Sequence, residues 1–281
     1  MQRLFTLALL LFLLVLPVYV QAGWPDASVD DPDPEKWLEL RLKEAEQGFP
    51  RSQYEAAHVL HAYGKKDAAK LAEAVAWYRK GAENGEPLSQ LALGGMYLNG
   101  EGMSPDYQEG LFWITLAHKT SLETLVQKEL AVAERHLSAA EIAATKKRAD
   151  EWRISPDNLK KLLALADLGT TVQCHLGDLY RYGNGVSLDY AEALKWYNIA
   201  AVRDNGMAQY QLYEMYFNGT GVTQNFEEAY FWLRISQRNN THNKDPILSA
   251  HPIAKMLTFG QVGRVNARVE TWKPLPPSSK P

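Results

Sequence analysis

Apolar residues recur along much of the chain at spacings of three and four, the period of a helix with one buried face. In one clear stretch, Val172, Leu176 and Leu179 form such a stripe. Gly183-Asn184-Gly185 then ends it, because glycine and asparagine tolerate a positive φ. A second stripe follows, formed by Ala193, Trp196, Tyr197, Ala200 and Ala201. The pattern predicts two helices joined by a tight turn.

The pair of stripes recurs at a fixed period. Trp196 and Trp232 lie 36 residues apart, and an earlier pair of hairpins places Trp77 and Trp113 at the same separation. A period of this length is typical of stacked helical hairpins, in which each unit buries its apolar face against its neighbour. The tryptophans are therefore predicted to be core residues rather than a stacking site for sugars or bases.

A different block separates the two pairs of hairpins. Residues 122–135 are helical by pattern, and Ser138-Ala139-Ala140-Glu141 is a capping box that opens a helix to about Trp152. The block recurs 120 residues later, with Thr258 to Gln261 as the capping box and Trp272 as the matching tryptophan. The chain is therefore interpreted as a tandem duplication, in which each half has two hairpins and a closing helix and is expected to fold semi-independently.

The two ends of the sequence differ from the repeats. Arg3 precedes an apolar run that is too short for a membrane span, and a cleavage site is expected after Ala22. A membrane anchor is the alternative for this run. Five segments are predicted. They are a signal peptide (1–22), an extended lead (23–36), the first solenoid half (37–153), the second solenoid half (154–272) and a disordered proline-rich tail (273–281).

Composition and motifs exclude several classes of function. The chain carries 30 basic and 33 acidic residues with no basic stripe, which argues against a nucleic-acid partner. The single cysteine, Cys174, is expected to be a small buried apolar residue. No phosphate loop, metal motif or nucleophile elbow is present, so no cofactor, metal or catalytic residue is predicted. His58 and His61 lie one helical turn apart and leave a weak metal alternative that lacks a third ligand.

The third hairpin resembles the Sel-one-like repeat family, relatives of the tetratricopeptide repeats. The matching residues are Leu176, Gly177, Leu179, Tyr180, Gly183, Gly185, Val186, Asp189, Ala193, Trp196, Tyr197, Ala200, Ala201 and Gly206. The fourth hairpin has Tyr213 in place of the helix glycine, and the first has Gly64-Lys65-Lys66-Asp67 in place of the G-x-G-V turn. The resemblance implies an all-α fold, a right-handed α/α superhelical solenoid of four helical-hairpin repeats.

The resemblance also implies a function. Members of this kind bind proteins or peptides on a concave face, and bacterial members are often exported. We therefore expect a periplasmic or secreted interaction scaffold whose partner is a toxin, an envelope regulator or a host protein. A more specific form of this expectation is an immunity protein that neutralises a secreted effector, such as a phospholipase. An envelope-signalling regulator is the alternative, and a cell-wall or β-lactam hydrolase is a weaker one.

Partner-binding residues are expected on the first helix of each hairpin, since these helices line the inner surface of such a solenoid. The candidates occupy positions whose chemistry differs from repeat to repeat. They are Glu55, His58, His61, His175, Asp178, Arg181, Gln211, Glu214 and Phe217, with Gly95 at a related position. Ordinary solvated helix faces are the alternative for any one of them.

Overall fold

The computed structural model describes residues 34–64, 67–120, 122, 126–239 and 252–276. The predicted signal peptide, the lead up to residue 33 and residues 277–281 of the predicted tail lie outside the described residues. Within the described part of the chain, all regular structure is helical and no strand occurs. The all-α class is confirmed.

Thirteen α-helices and one short 3-10 helix, Pro252–Met256, occur in the described ranges. The α-helices are α1 Pro34–Gln47, α2 Pro50–Gly64, α3 Ala68–Glu83, α4 Pro87–Asn99, α5 Tyr107–His118, α6 Gln127–Glu134, α7 Ala139–Glu151, α8 Pro156–Leu165, α9 Thr170–Tyr182, α10 Tyr190–Ala201, α11 Gly206–Asn218, α12 Phe226–Asn239 and α13 Phe259–Thr271. The predicted lead was wrong at its end, because Pro34 begins a helix, as proline does readily in a first turn. The helix expected from residue 122 begins only at Gln127.

Contacts within the chain divide it into two compact units. The first comprises residues 27–189, and the second includes residues 190–281. The seam predicted from the duplication, at residue 154, lies inside the first unit. The division into two halves therefore stays a prediction from the sequence repeat.

In the first unit, successive helices pack in pairs, α2 with α3 and α4 with α5, and α5 also packs against α6 and α7. Tyr78, Leu93 and Ile114 are among its fully buried side chains. Helices α4 and α5 approach closely at Gly94. A Cβ built there would lie 2.5 Å from Cγ1 of Ile114, so α4 and α5 can meet at this distance only because the side chain is absent.

The third repeat's first helix, α9, packs against the turns between earlier helices. Leu179 lies over Gly85, where an added Cβ would be 2.6 Å from its Cδ2 atom. Asn184, just after α9, donates its side-chain amide to the Gly85 carbonyl at 3.1 Å. Near the start of α9, Gly169 lies beside the ring of Phe49. These contacts join residues about a hundred positions apart and make α9 part of the first unit.

In the second unit, α10 packs with α11, α11 with α12, and α12 with α13. Tyr197, Leu212 and Phe231 are buried in it. The tail prediction was wrong for residues 273–276, because this extended segment is held by a hydrogen bond from the Leu275 N–H to the Val202 carbonyl at 2.7 Å. The backbone bond fixes the path of the chain after α13.

The two closing helices are attached in the same way. Both begin with the predicted capping box, formed by Ser138 with Glu141 in α7 and by Thr258 with Gln261 in α13. The guanidinium of Arg148 lies 3.8 Å from the ring centroid of Phe112 and pairs with Glu109 at 2.6 Å. The same roles in the second unit belong to Arg268, Phe231 and Glu228. These matching contacts support the tandem duplication.

Candidate functional site

Four buried glutamines mark the same position on the first helix of each repeat. Each donates its side-chain amide to the backbone carbonyl of an alanine at or near the end of the preceding helix, over 2.7–3.2 Å. They are Gln53, Gln90, Gln173 and Gln209, and their acceptors are Ala45, Ala82, Ala166 and Ala201. This role was not predicted from the sequence, although a glutamine that recurs at the same place in each repeat is a signal that could have indicated it.

Counting residues from this glutamine gives equivalent positions at which the predicted site residues of the four repeats can be compared. The second position after it is buried in every repeat, with 3%, 5%, 9% and 6% of the residue surface exposed at Glu55, Ala92, His175 and Gln211. The structure therefore places three of the predicted binding residues, Glu55, His175 and Gln211, in the packed interior. The expectation that they lie on an exposed face is corrected.

Two of these buried polar groups, Glu55 and His175, have partners that explain their burial. The Nε atom of Arg51 donates to Glu55 at 2.8 Å, and Arg41 lies 3.5 Å from the other carboxylate oxygen. His175 donates from Nε2 to the Asn84 carbonyl at 2.9 Å. Burial lowers the pKa of His175 from 6.5 to about 4, so the ring is neutral at pH 7.

The fifth position after the glutamine is half-exposed in all four repeats. Its occupants are His58, Gly95, Asp178 and Glu214. At Gly95 an added Cβ would meet no atom within 4 Å, so this position faces open space. The backbone here is thus held in a constant register while the exposed chemistry varies among imidazole, carboxylate and no side chain.

The eighth position is half-exposed in three repeats, as His61, Arg181 and Phe217, and is buried in the second, as Leu98. In the first unit, Nε2 of His61 lies 2.9 Å from a carboxylate oxygen of Glu101. The Arg181 guanidinium lies 5.3 Å from the ring centroid of Tyr182. His61 and Arg181 thus place hydrogen-bonding and charged atoms at the eighth position, whereas Phe217 places an aromatic ring there.

The packing of the buried glutamines keeps these positions in place. The Gln53 side-chain carbonyl accepts from Asn84 at 3.0 Å, and that of Gln90 accepts from Asn184 at 3.2 Å. Two hydrogen bonds at each of these glutamines tie a first helix both to the preceding helix and to a turn. A surface supported in this way is preorganised, which lowers the entropic cost of binding.

The described part of the chain contains neither an exposed cysteine nor a cluster of metal-binding side chains. Cys174 is buried, and burial raises the pKa of its thiol well above 9.0, so the reactive thiolate is disfavoured. Among the residues described, no group of three or more His, Cys, Asp or Glu side chains is arranged to hold a metal ion. In the same residues, every helix is too short or too polar to cross a membrane.

Comparison with known proteins gives one family. The family model described as Sel1 repeat matches residues 50–86, 87–117, 171–204 and 206–236. No curated protein matches the chain.

Two solved structures illustrate the similarity. One is c5321, a protective antigen present in uropathogenic Escherichia coli strains and displaying an SLR fold; it is 24% identical over 85% of this chain, with a TM-score of 0.34. The match covers 49% of that protein, so this chain spans about half of its length. The other is a Sel1 repeat protein from Oxalobacter formigenes, 22% identical over 79% of each chain, with a TM-score of 0.31.

Proposed function

This chain belongs to the Sel1 repeat family, whose members generally serve as protein-interaction scaffolds, and from that premise we propose that it binds another protein through the half-exposed positions of its first helices. The binding positions are the fifth and eighth residues after each recurrent glutamine. In the first unit they include His58, His61, Gly95, Asp178 and Arg181.

The contrast between constant and variable positions carries this proposal. The glutamine is the same in four repeats and is always buried, whereas the fifth position changes from His58 to Gly95, Asp178 and Glu214 and is always half-exposed. Variation alone does not mark a binding position, since the buried second position also changes, from Glu55 to Ala92, His175 and Gln211. The fifth position combines variation with accessibility, and recognition of a particular partner requires both.

The chemistry of these positions favours a protein surface with polar and charged groups. Asp178 and Arg181 carry opposite charges one helical turn apart on α9. Arginine is also enriched among the residues that dominate interface energetics. The partner proposed is therefore a folded protein recognised through ion pairs and hydrogen bonds around Arg181, rather than a nucleic acid.

The signal-like segment at residues 1–22 supports a periplasmic setting, in which the partner is a toxin neutralised by this chain. An envelope-signalling regulator is the second candidate. N-terminal sequencing of protein from the periplasmic fraction should read Gly-Trp-Pro, the residues that follow Ala22. Intact Met1 on cytoplasmic protein would overturn the compartment but not the binding surface.

Photo-crosslinking in the producing cell tests the surface directly. A photoreactive amino acid at Asp178 should give a discrete crosslinked product, whose identification by mass spectrometry distinguishes a toxin from a signalling protein. The control position is Glu73, which is exposed on the second helix of the first repeat, α3. A product obtained from position 73 and not from position 178 would show that the second helices bind the partner.

A pair of double variants provides the quantitative test. Asp178→Ala with Arg181→Ala should weaken capture of the identified partner at least tenfold while the melting temperature changes little. The matched control is Lys195→Ala with Asn198→Ala on α10, the second helix of the third repeat, and it should bind like the unmodified protein. Equal loss from both double variants would contradict a surface confined to the first helices.

A further inference from the structure

Helix α9 is held on the first unit by contacts with a single turn. His175, near the middle of α9, donates from Nε2 to the Asn84 carbonyl at 2.9 Å. Asn184, just after the helix, donates to the Gly85 carbonyl at 3.1 Å, and Leu179 packs over Gly85 between these two hydrogen bonds. Asn84 and Gly85 lie in the turn that connects α3 to α4. We call these contacts the α9 latch.

His175 is the one member of the latch whose charge changes near neutral pH. It occupies the second position after the recurrent glutamine, where the other repeats have Glu55, Ala92 and Gln211. Its Nε2 atom faces a carbonyl oxygen and therefore carries the proton of the neutral ring. A proton gained in acid goes to Nδ1 and makes the buried ring a cation. Because burial of that charge is unfavourable, acid favours a detached α9 in which the ring is hydrated.

Other ionisable groups lie on the elements that meet at this turn. They are Asp178 and Arg181 on α9, Glu83 and Glu86 at the turn, and Arg51 and Glu55 on α2. Glu55 is paired with Arg51 at 2.8 Å. Burial raises the pKa of Glu86, so its protonation in acid stabilises the folded turn, which is opposite in sign to the effect of His175. Comparison with a His175→Gln variant cancels this contribution, since both proteins contain Glu86.

The residues proposed above to bind a partner lie on the same helix as the histidine. Asp178 and Arg181 follow it by three and six positions on α9. We propose that protonation of His175 opens the α9 latch and detaches α9 from the turn, while the hairpins formed by α2 to α5 stay folded. Detachment displaces Asp178 and Arg181, so acid releases the partner, a consequence that rests on the proposed function.

Hydrogen exchange followed by mass spectrometry tests the latch in the full chain without any partner. Between pH 7 and pH 5, the protection factors of the α9 amides should fall about twentyfold, as follows for a ring with a pKa of about 4 when docked and 6.5 when detached. The amides of α4 should keep their protection. Unchanged protection of α9 would overturn the proposal, and so would an equal fall in α4, which would indicate global unfolding.

Two variants separate the proton from the rest of the latch. His175→Gln retains a donor for the Asn84 carbonyl but does not titrate, so its α9 protection should not fall at pH 5. Asn184→Ala is the matched control at the other end of the latch. It should lower α9 protection at both pH values and keep the same dependence on pH, because His175 is still present. A fall in His175→Gln as large as in the unmodified protein would assign the dependence to another group and refute the proposal.

Partner capture tests the consequence separately. With the partner identified by crosslinking, capture by the unmodified protein should weaken at least tenfold from pH 7 to pH 5, and capture by His175→Gln should weaken less. Equal losses in the two proteins would show that acid acts on the binding contacts themselves and would overturn release by the latch. Failure of the exchange test, in contrast, would leave the binding surface at Asp178 and Arg181 in place, because that test involves no partner.

Discussion

The side-chain carboxamide of each recurrent glutamine combines an NH2 donor and a carbonyl acceptor, and Gln90 shows how the fold uses both. Its Nε2 atom donates to the Ala82 carbonyl at 3.2 Å, and its Oε1 atom accepts from Asn184 at 3.2 Å. The side chain is fully buried, so water cannot replace either hydrogen bond if the glutamine is lost.

Gln90→Met should therefore lower the free energy of unfolding by ~1–3 kcal/mol. Methionine keeps the shape of the side chain but removes two buried hydrogen bonds, at ~0.5–1.5 kcal/mol each, while the Ala82 carbonyl and the Asn184 amide keep their bonds to the N–H and the carbonyl of Gly85. Urea denaturation followed by circular dichroism measures the change. The control is Gln47→Met, at an exposed residue near the end of α1, and it should shift stability by less than ~0.5 kcal/mol.

His175 makes the stability of the first unit depend on pH. Its pKa is lowered to about 4 by burial, below the 6.5 of an exposed histidine. The stabilisation from the neutral ring is complete above pH 6.5 and is lost as the pH falls toward 4. At ~1.4 kcal/mol per pKa unit, this loss is ~3 kcal/mol.

His175→Gln should remove that dependence, because glutamine does not titrate and its amide can still donate to the Asn84 carbonyl. The fourth repeat already has a buried glutamine, Gln211, at the same position. Urea midpoints of the two proteins should diverge between pH 6.5 and 4, with the variant the more stable in acid. His136→Gln, at an exposed residue, should behave like the unmodified protein. If the urea midpoints of His175→Gln and of the unmodified protein changed in parallel with pH, His175 would not be buried as a neutral ring.

Single-residue environments were the least predictable part of the molecule. Glu55, His175 and Gln211 have polar side chains that vary among repeats, which from sequence alone favours a surface position. They are buried because a first helix packs on several neighbours, so its buried arc is wider than one apolar stripe. The hydrogen bond that compensates the burial of His175 comes from Asn84, which is far away in the sequence, whereas Glu55 pairs with nearby Arg51.

Helix starts that have a capping box, by contrast, could be predicted well, because the interactions that form them are local. The capping boxes at Ser138 and Thr258 each involve residues three positions apart. Ser155 accepts from the Asn158 N–H at the start of α8, with Pro156 at the first helical position, where proline is favoured. How each closing helix attaches to its hairpin was not predictable, since Arg148 and Phe112 are distant in sequence.

Arg148→Ala should cost ~1 kcal/mol of stability. The guanidinium gains ~0.5–1 kcal/mol from the ring of Phe112, and its half-exposed ion pair with Glu109 adds little in water. Thermal unfolding monitored by tryptophan fluorescence gives the shift. Lys147→Ala is the matched control one residue earlier, where the ion pair is longer and more exposed, and its effect should be within ~0.5 kcal/mol of zero. A larger loss from Lys147→Ala than from Arg148→Ala would contradict the attachment by ring and arginine.

At the scale of the whole molecule, the repeat pattern predicts the number and type of hairpins but not every neighbour that a helix has. The 36-residue period implies contacts between units that follow one another in sequence. Yet α9 contacts the turns at Phe49 and Gly85, and the Ile154 N–H donates to the Gly185 carbonyl at 2.9 Å. Such contacts depend on the direction in which the chain leaves the first closing helix, α7, which no periodic pattern specifies.

Two fragments test whether α9 completes the first unit. A protein of residues 27–189 should unfold cooperatively and at a higher urea concentration than one of residues 27–153, although the shorter fragment contains both hairpins and the first closing helix. The shorter fragment loses Leu179 from Gly85 and exposes the polar groups of Asn84 and Gly85 that His175 and Asn184 contact. Burial of Leu179 alone accounts for ~2 kcal/mol.

Asn184→Ala in the longer fragment should lower its urea midpoint part of the way toward that of the shorter fragment. Ser187→Ala, at an exposed residue after the turn, should leave the midpoint unchanged. Equal midpoints for the two fragments would mean that residues 27–153 are a complete folding unit and that the docking of α9 contributes nothing to its stability.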